Sequence, residues 1–139
     1  MLLFTPDMPR QMDFYQRALG LKLSDRSGNV ISFLRCTTDH HNLAFLASHA
    51  PGFHHGSFQV GSIDEIGMGA SRMADKGWQP GWGFGRHVIG SNFFYYIRDP
   101  WGSFAEYFFD IDVIPEDCAW EPRDWPGEDS LYIWGPSVP

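Results

Sequence analysis

Five side chains in this sequence have the types and spacing to do chemistry together: His41, His55, His87, Tyr96 and Glu106. Imidazoles and carboxylates are the donors of borderline and hard divalent metals, and imidazole and phenol also take and give protons near a reacting atom. Glu106 is the most telling of the five. In the strand-like "FAEYFF" it shares a face with Phe104 and Phe108, and a carboxylate placed between two large apolar side chains is costly to bury without a cation. Taken singly the others have ordinary readings. His41 ends the turn "TTDHH", His55 lies on the polar face of "HHGSFQV" with Ser57 and Gln59, His87 follows Gly85 and Arg86 in a loop, and Tyr96 reads as a core aromatic. Their combination carries more weight than any member.

The elements that must position them follow from periodicity. A strand at 2–5 leads to a helix over 8–19, introduced by Asp7 and closed by Gly20, with Met12, Tyr15 and Leu19 as its apolar stripe. Strands follow at 21–25, 30–36 and 42–47, with "RSGN" as a turn. The pattern then restarts with a strand at 55–60, a capping box of Ser62 and Glu65, a helix to Lys76 that turns Ile66, Ala70 and Met73 to one side, and Gly77 as its stop. Strands near 79–83, 92–98 and 103–109 complete a second βαβββ pattern. The expected organisation is one domain over 1–109, made of modules at about 1–50 and 51–109, followed by an acidic arm rich in Trp and Pro over 110–139.

Composition bounds the partners. The 139 residues can bury a core without staples, and Cys36 and Cys118 have no CxxC spacing, so neither a disulfide framework nor a zinc ribbon is expected. No apolar run is long enough to span a membrane and the start lacks the layout of a signal peptide, which reads as a cytoplasmic protein with no membrane partner. Net charge is −7, but residues 1–109 are balanced and the acids concentrate in 110–139, where Arg123 is the single base. Without a basic stripe, nucleic acid is not expected as a partner, and a small molecule is. The arm also holds Trp120, Trp125 and Trp134 among its apolar residues, so it is expected to be ordered rather than a solvated tail.

The run from "GRH" through "YIRDPWGSFAE" spaces a histidine, eight residues, a tyrosine, two residues, D-P-x-G, three residues and a glutamate. Together with "DHHNLAF" and "FHHGSFQV" it resembles the catalytic C-terminal domain of type I extradiol dioxygenases, the ring-cleaving catechol enzymes of the vicinal oxygen chelate, or glyoxalase-like, superfamily. The resemblance implies an α+β fold of paired βαβββ modules forming a half-open barrel. It implies Fe(II), with Mn(II) as the alternative, bound by His55 and Glu106. It also implies that His87 and Tyr96 contact the substrate, that His41 manages protons and oxygen chemistry, and that the protein is a homo-oligomer acting on a catechol and dioxygen. A third metal-binding histidine is implied six residues before Pro6, a count that falls one position ahead of Met1. The chain is thus expected to begin just past that ligand, which leaves its activity open. Two alternatives stay in view: a non-catalytic module that holds a small aromatic, and another member of the same superfamily, such as a glyoxalase-like or antibiotic-resistance protein.

Overall fold

The computed structural model of the chain describes residues 1–127 and 130–139. Two compact units emerge, the first made of Met1–His54 and Asp112–Ser130, the second of His55–Ile111 and Leu131–Pro139. Among the described residues no helix is long and apolar enough to cross a membrane.

The first unit carries β1 (Leu2–Thr5), α1 (Met8–Leu19), β2 (Lys22–Ser27), β3 (Ile31–Arg35) and β4 (Leu43–Ala47). The strands order as β1-β4-β3-β2, with a short β9 (Arg123–Asp124) from the C-terminal segment pairing parallel to β2. Helix α1 starts where the Asp7 carboxylate accepts the Arg10 amide at 3.1 Å and ends at Gly20, which takes the left-handed φ of 73°. Its packing face is Met8, Met12 and Tyr15, set against a core of Leu34, Leu43 and Phe45. Leu19, expected in the stripe, is exposed instead. The left-handed turn at Gly20 reverses the chain at that point, so Leu21 rather than Leu19 drops onto the core.

The second unit repeats the plan with β5 (Gly52–Gln59, entering from the first unit), α2 (Ile63–Asp75), β6 (Pro80–His87), β7 (Phe93–Arg98) and β8 (Phe104–Phe109). Its strands order as β6-β7-β8-β5, and β10 (Tyr132–Trp134) adds antiparallel outside β6. The two βαβββ modules are as the periodicity indicated, and the α+β class is as the resemblance implied. Strand β6 ends four residues later than its periodicity suggested, so His87 closes a strand rather than sitting in a loop. Register shifts beside Gly83 and Gly85 let β6 follow β7 through to its end. The capping box forms in variant form: Ser62 Oγ accepts the Glu65 amide at 3.2 Å, while the Glu65 carboxylate accepts from the Gly61 amide at 2.7 Å.

Two glycines of α2 make opposite demands. A Cβ on Gly67 would meet nothing within 4 Å, whereas one on Gly69 would lie 2.6 Å from the Tyr107 ring on β8. Gly67→Ala is therefore expected to stabilise the protein by about 0.5–1 kcal/mol through helix propensity. Gly69→Ala is expected to destabilise it by about 1–3 kcal/mol, because the helix must lift off the strand. Chemical denaturation of the two variants side by side checks the difference in sign.

Candidate functional site

The hairpin of β7 and β8 accounts for the spacing of the tyrosine and the glutamate. The D-P-W-G stretch folds as a tight turn in which Asp99 accepts the Trp101 amide at 2.8 Å and the Ser103 amide at 2.9 Å, and also the Ser103 hydroxyl. The Ser103 hydroxyl, with the backbone amides behind it, holds the Asp99 carboxyl below its ordinary range. Around this turn the antiparallel register sets Tyr96 directly opposite Glu106. Residues opposed in an antiparallel pair project to one face, so the interval between them is a hairpin distance.

Each of the four neighbouring strands β6, β7, β8 and β5 delivers one polar group to the same place: His87, Tyr96, Glu106 and His55. His55 Nε2 lies 3.4 Å from Glu106 Oε2, and His87 Nε2 lies 3.8 Å from Glu106 Oε1 and 3.3 Å from the Tyr96 hydroxyl. All but His87 are buried, with exposures of 4% for Glu106, 6% for Tyr96 and 7% for His55. Burial alone would raise the Glu106 carboxyl. The approach of His87, the charges of His55 and His87 and the Ser57 hydroxyl outweigh it and bring the carboxyl down to about 2. Burial, reinforced by the Glu106 charge, pushes the Tyr96 phenol well above its usual range and keeps it a hydroxyl.

An aromatic frame holds these groups in place. The His87 ring stacks on Phe94 at 4.0 Å between centroids, Trp82 stacks on Tyr96 at 5.7 Å, and the His55 ring meets Tyr96 edge-on at 5.0 Å. On its other side His87 Nδ1 lies 2.9 Å from the Leu131 carbonyl oxygen. A carbonyl only accepts, so that nitrogen carries a proton and Nε2 is the side turned to Tyr96 and Glu106.

Reading the hydropathy of β5 as a solvated strand inverted its faces. Phe58 is 59% exposed and His55 is buried, because the face of β5 that meets Glu106 on β8 is the polar one. Ser57 donates to Glu106 Oε2 at 2.6 Å. Its role escaped the sequence reading, although its place two residues after His55 on the same face was the signal. The Leu131 carbonyl carried no such signal. His41 belongs to the first unit, where its Nδ1 lies 3.0 Å from His40 Nδ1 and its ring 4.8 Å from that of Phe33.

Among the described residues no group of three or more His, Cys, Asp or Glu side chains is placed to hold a metal ion by itself. The His55 and Glu106 pair does fit as two donors of such a set. Atoms 3.4 Å apart can share one ion through bonds of about 2.1 Å, and an imidazole with a carboxylate suits iron and manganese.

In the first unit His40 is enclosed and hydrogen-bonded to Asp25. Burial lowers its pKa from 6.5, with Asp25 pulling weakly the other way. An unfolded His40 takes up a proton more readily than the folded one, so this contribution to stability is present above pH 6.5 and is lost as pH falls through the lower folded value. Denaturation of the protein and of His40→Asn across pH 8 to 5 is expected to show the steeper loss in the unsubstituted chain.

Metapyrocatechase 2 of Cupriavidus necator is 56% identical over 140 residues, which cover 99% of this chain and 44% of that protein. Two solved structures superpose over 99% of the chain. One is the Mn(II)-bound glyoxalase from Novosphingobium aromaticivorans, with a TM-score of 0.89, 32% identity and 46% of that chain covered. The other is BphC, a halotolerant catechol dioxygenase, with a TM-score of 0.85, 28% identity and 48% covered. The chain thus spans a little under half the length of these relatives. The sequence model of one family matches residues 1–107, which hold all five residues singled out above and both βαβββ modules except the last two residues of β8, and the chain therefore belongs to the Glyoxalase/Bleomycin resistance protein/Dioxygenase superfamily.

Proposed function

We propose that the chain is the metal-binding, catalytic part of an extradiol dioxygenase that opens the ring of a catechol-type diol with dioxygen. The observation that carries this reading is the convergence of His55, Glu106, His87 and Tyr96 from four adjacent strands. The similarity to Metapyrocatechase 2 supports it. His55 Nε2 and Glu106 Oε2 would hold the metal, and Ser57 and the two imidazoles keep the Glu106 carboxylate ionised for that task. Bound there, Fe(II) or Mn(II) supplies Lewis acidity and one-electron chemistry toward a catecholate and dioxygen.

The protein's own groups then have distinct work. Tyr96, kept as a hydroxyl by burial, donates its proton toward a substrate oxygen. His87, with Nδ1–H fixed on Leu131, accepts or returns a substrate proton at Nε2. By the family resemblance, His41 would hold and move a proton. Trp82, packed on Phe94 and stacked on Tyr96, holds the ring planes. A cytoplasmic setting, read from the sequence, and a homo-oligomeric assembly, implied by the family resemblance, accompany this reading.

The test is oxygen uptake and formation of a yellow ring-opened product from catechol and 2,3-dihydroxybiphenyl after anaerobic loading with Fe(II). It is run on the chain as it stands and on a version with a histidine placed ahead of Met1. Ring opening in either supports the enzyme reading. Catechol binding without ring opening in both would favour the binding module.

A further inference from the structure

Behind His41 lies a buried polar chain that the reading above leaves without a role. His41 Nδ1 lies 3.0 Å from His40 Nδ1, and His40 Nε2 lies 3.2 Å from Asp25 Oδ2. His40 and Asp25 are almost wholly enclosed, at 1% and 2% exposure. All three belong to the first unit. The C-terminal segment of that unit holds the far end. Trp125 Nε1 donates to Asp25 Oδ2 at 2.9 Å, and the Arg123 amide donates to Asp25 Oδ1 at 2.8 Å. Trp120 sits edge-on to the His40 ring at 6.0 Å and donates its indole N–H to the Ser24 carbonyl. The His40 amide donates to the Asp112 carbonyl at 2.7 Å.

Donor and acceptor logic runs one way along this chain. A carboxylate receiving an indole N–H and a backbone N–H is acting as an acceptor, so the His40 nitrogen facing it carries a proton. Burial keeps His40 neutral, so its other nitrogen, Nδ1, is bare and must accept. The only hydrogen available in that contact is on His41 Nδ1. The geometry points to Asp25 and His40 as positioning residues, locked by the C-terminal segment, that hold His41 in the tautomer protonated on Nδ1 and leave Nε2 as its working nitrogen. Free imidazole side chains prefer the opposite tautomer, so without this backing a neutral His41 would present a proton at Nε2 instead of a lone pair. The inference rests on the reading of His41 as the proton-handling residue. It extends that reading to a chain of contacts reaching Trp125, which makes the acidic C-terminal segment part of the positioning apparatus.

The experiment reads tautomers directly and needs neither metal nor substrate. The full chain with 15N-labelled histidine is examined by two-bond 1H–15N correlation at a pH of about 8, where imidazoles are neutral. Expected is a protonated Nδ1 with a bare Nε2 for His41 and the reverse for His40. A His41 protonated on Nε2 would overturn the proposal. In His40→Phe the His41 pattern is expected to shift to the Nε2-protonated form, and an unchanged pattern there would remove His40 as its cause. Should that variant not fold, Asp25→Asn gives the same readout, because an amide can present an N–H to His40 Nε2 and reverse both rings. Correct tautomers in a protein that opens no catechol ring would fault the functional reading and leave this one standing. Reversed tautomers in a protein that does open the ring would fault this one alone.

Discussion

Glu106→Gln is expected to lower iron-supported ring cleavage at least about a hundredfold and to strip the protein of metal on dialysis, in whichever form of the chain turns over catechol. Glutamine has nearly the same shape but carries no charge, and its NH2 group would meet hydroxyl and imidazole groups that now face carboxylate oxygens. Ser57 Oγ at 2.6 Å and His55 Nε2 at 3.4 Å both approach Oε2, and His87 Nε2 approaches Oε1 at 3.8 Å. A dication beside neutral imidazole alone has no local countercharge in a buried site. The fold is expected to lose stability as well, because the interactions with His87, His55 and Ser57 that outweigh burial and hold the carboxyl at about 2 go with the charge. Metal content after dialysis, initial rate of oxygen uptake and thermal midpoint are the three measurements. Undiminished metal and turnover in Glu106→Gln would remove this residue from the ligand set.

Phe94→Ala is expected to cost about 3–5 kcal/mol, the range for deleting a fully buried aromatic ring. The thermal midpoint is expected to fall by about 10–20 °C for a chain of this size. Phe94 has no exposed surface and lies under Trp82 at 4.3 Å, His87 at 4.0 Å and Tyr96 at 5.5 Å between ring centroids. The facing strand has been cleared to admit it. A Cβ on Gly85 would lie 2.5 Å from the Phe94 ring and 2.9 Å from the Trp134 carbonyl oxygen, so no side chain there can move in to fill the void. The loss should reach the chemistry too, since His87 keeps its hydrogen bond to Leu131 but loses the ring against which it stacks. Phe94→Leu, which retains most of the volume, is expected to cost less than half as much. A loss in Phe94→Ala no larger than that in Phe94→Leu would show that the ring is not the keystone of this packing.

Much of the molecule was present in the order of residues, and for local reasons. Capping at Asp7 and Ser62, the left-handed Gly20 and the period of the apolar positions depend on near neighbours along the chain, which is why both helices and the repeated βαβββ pattern could be read without coordinates. The interval from Tyr96 to Glu106 was legible for the same reason, since one hairpin with an Asp99 turn sets it. The burial of His55 was decided elsewhere. Which face of a strand is inward depends on what the neighbouring strand brings, and β5 lies beside a strand more than forty residues away that carries a buried carboxylate. The enclosure of Asp25 by Trp125, and the carbonyl of Leu131 behind His87, involve partners separated by 100 and 44 residues. No periodicity links such positions. Composition and spacing determined which groups could do the chemistry, and only the tertiary structure decided which ring nitrogens His87 and His40 turn to their partners, because each depends on a distant acceptor, the Leu131 carbonyl or Asp25, brought within hydrogen-bonding reach.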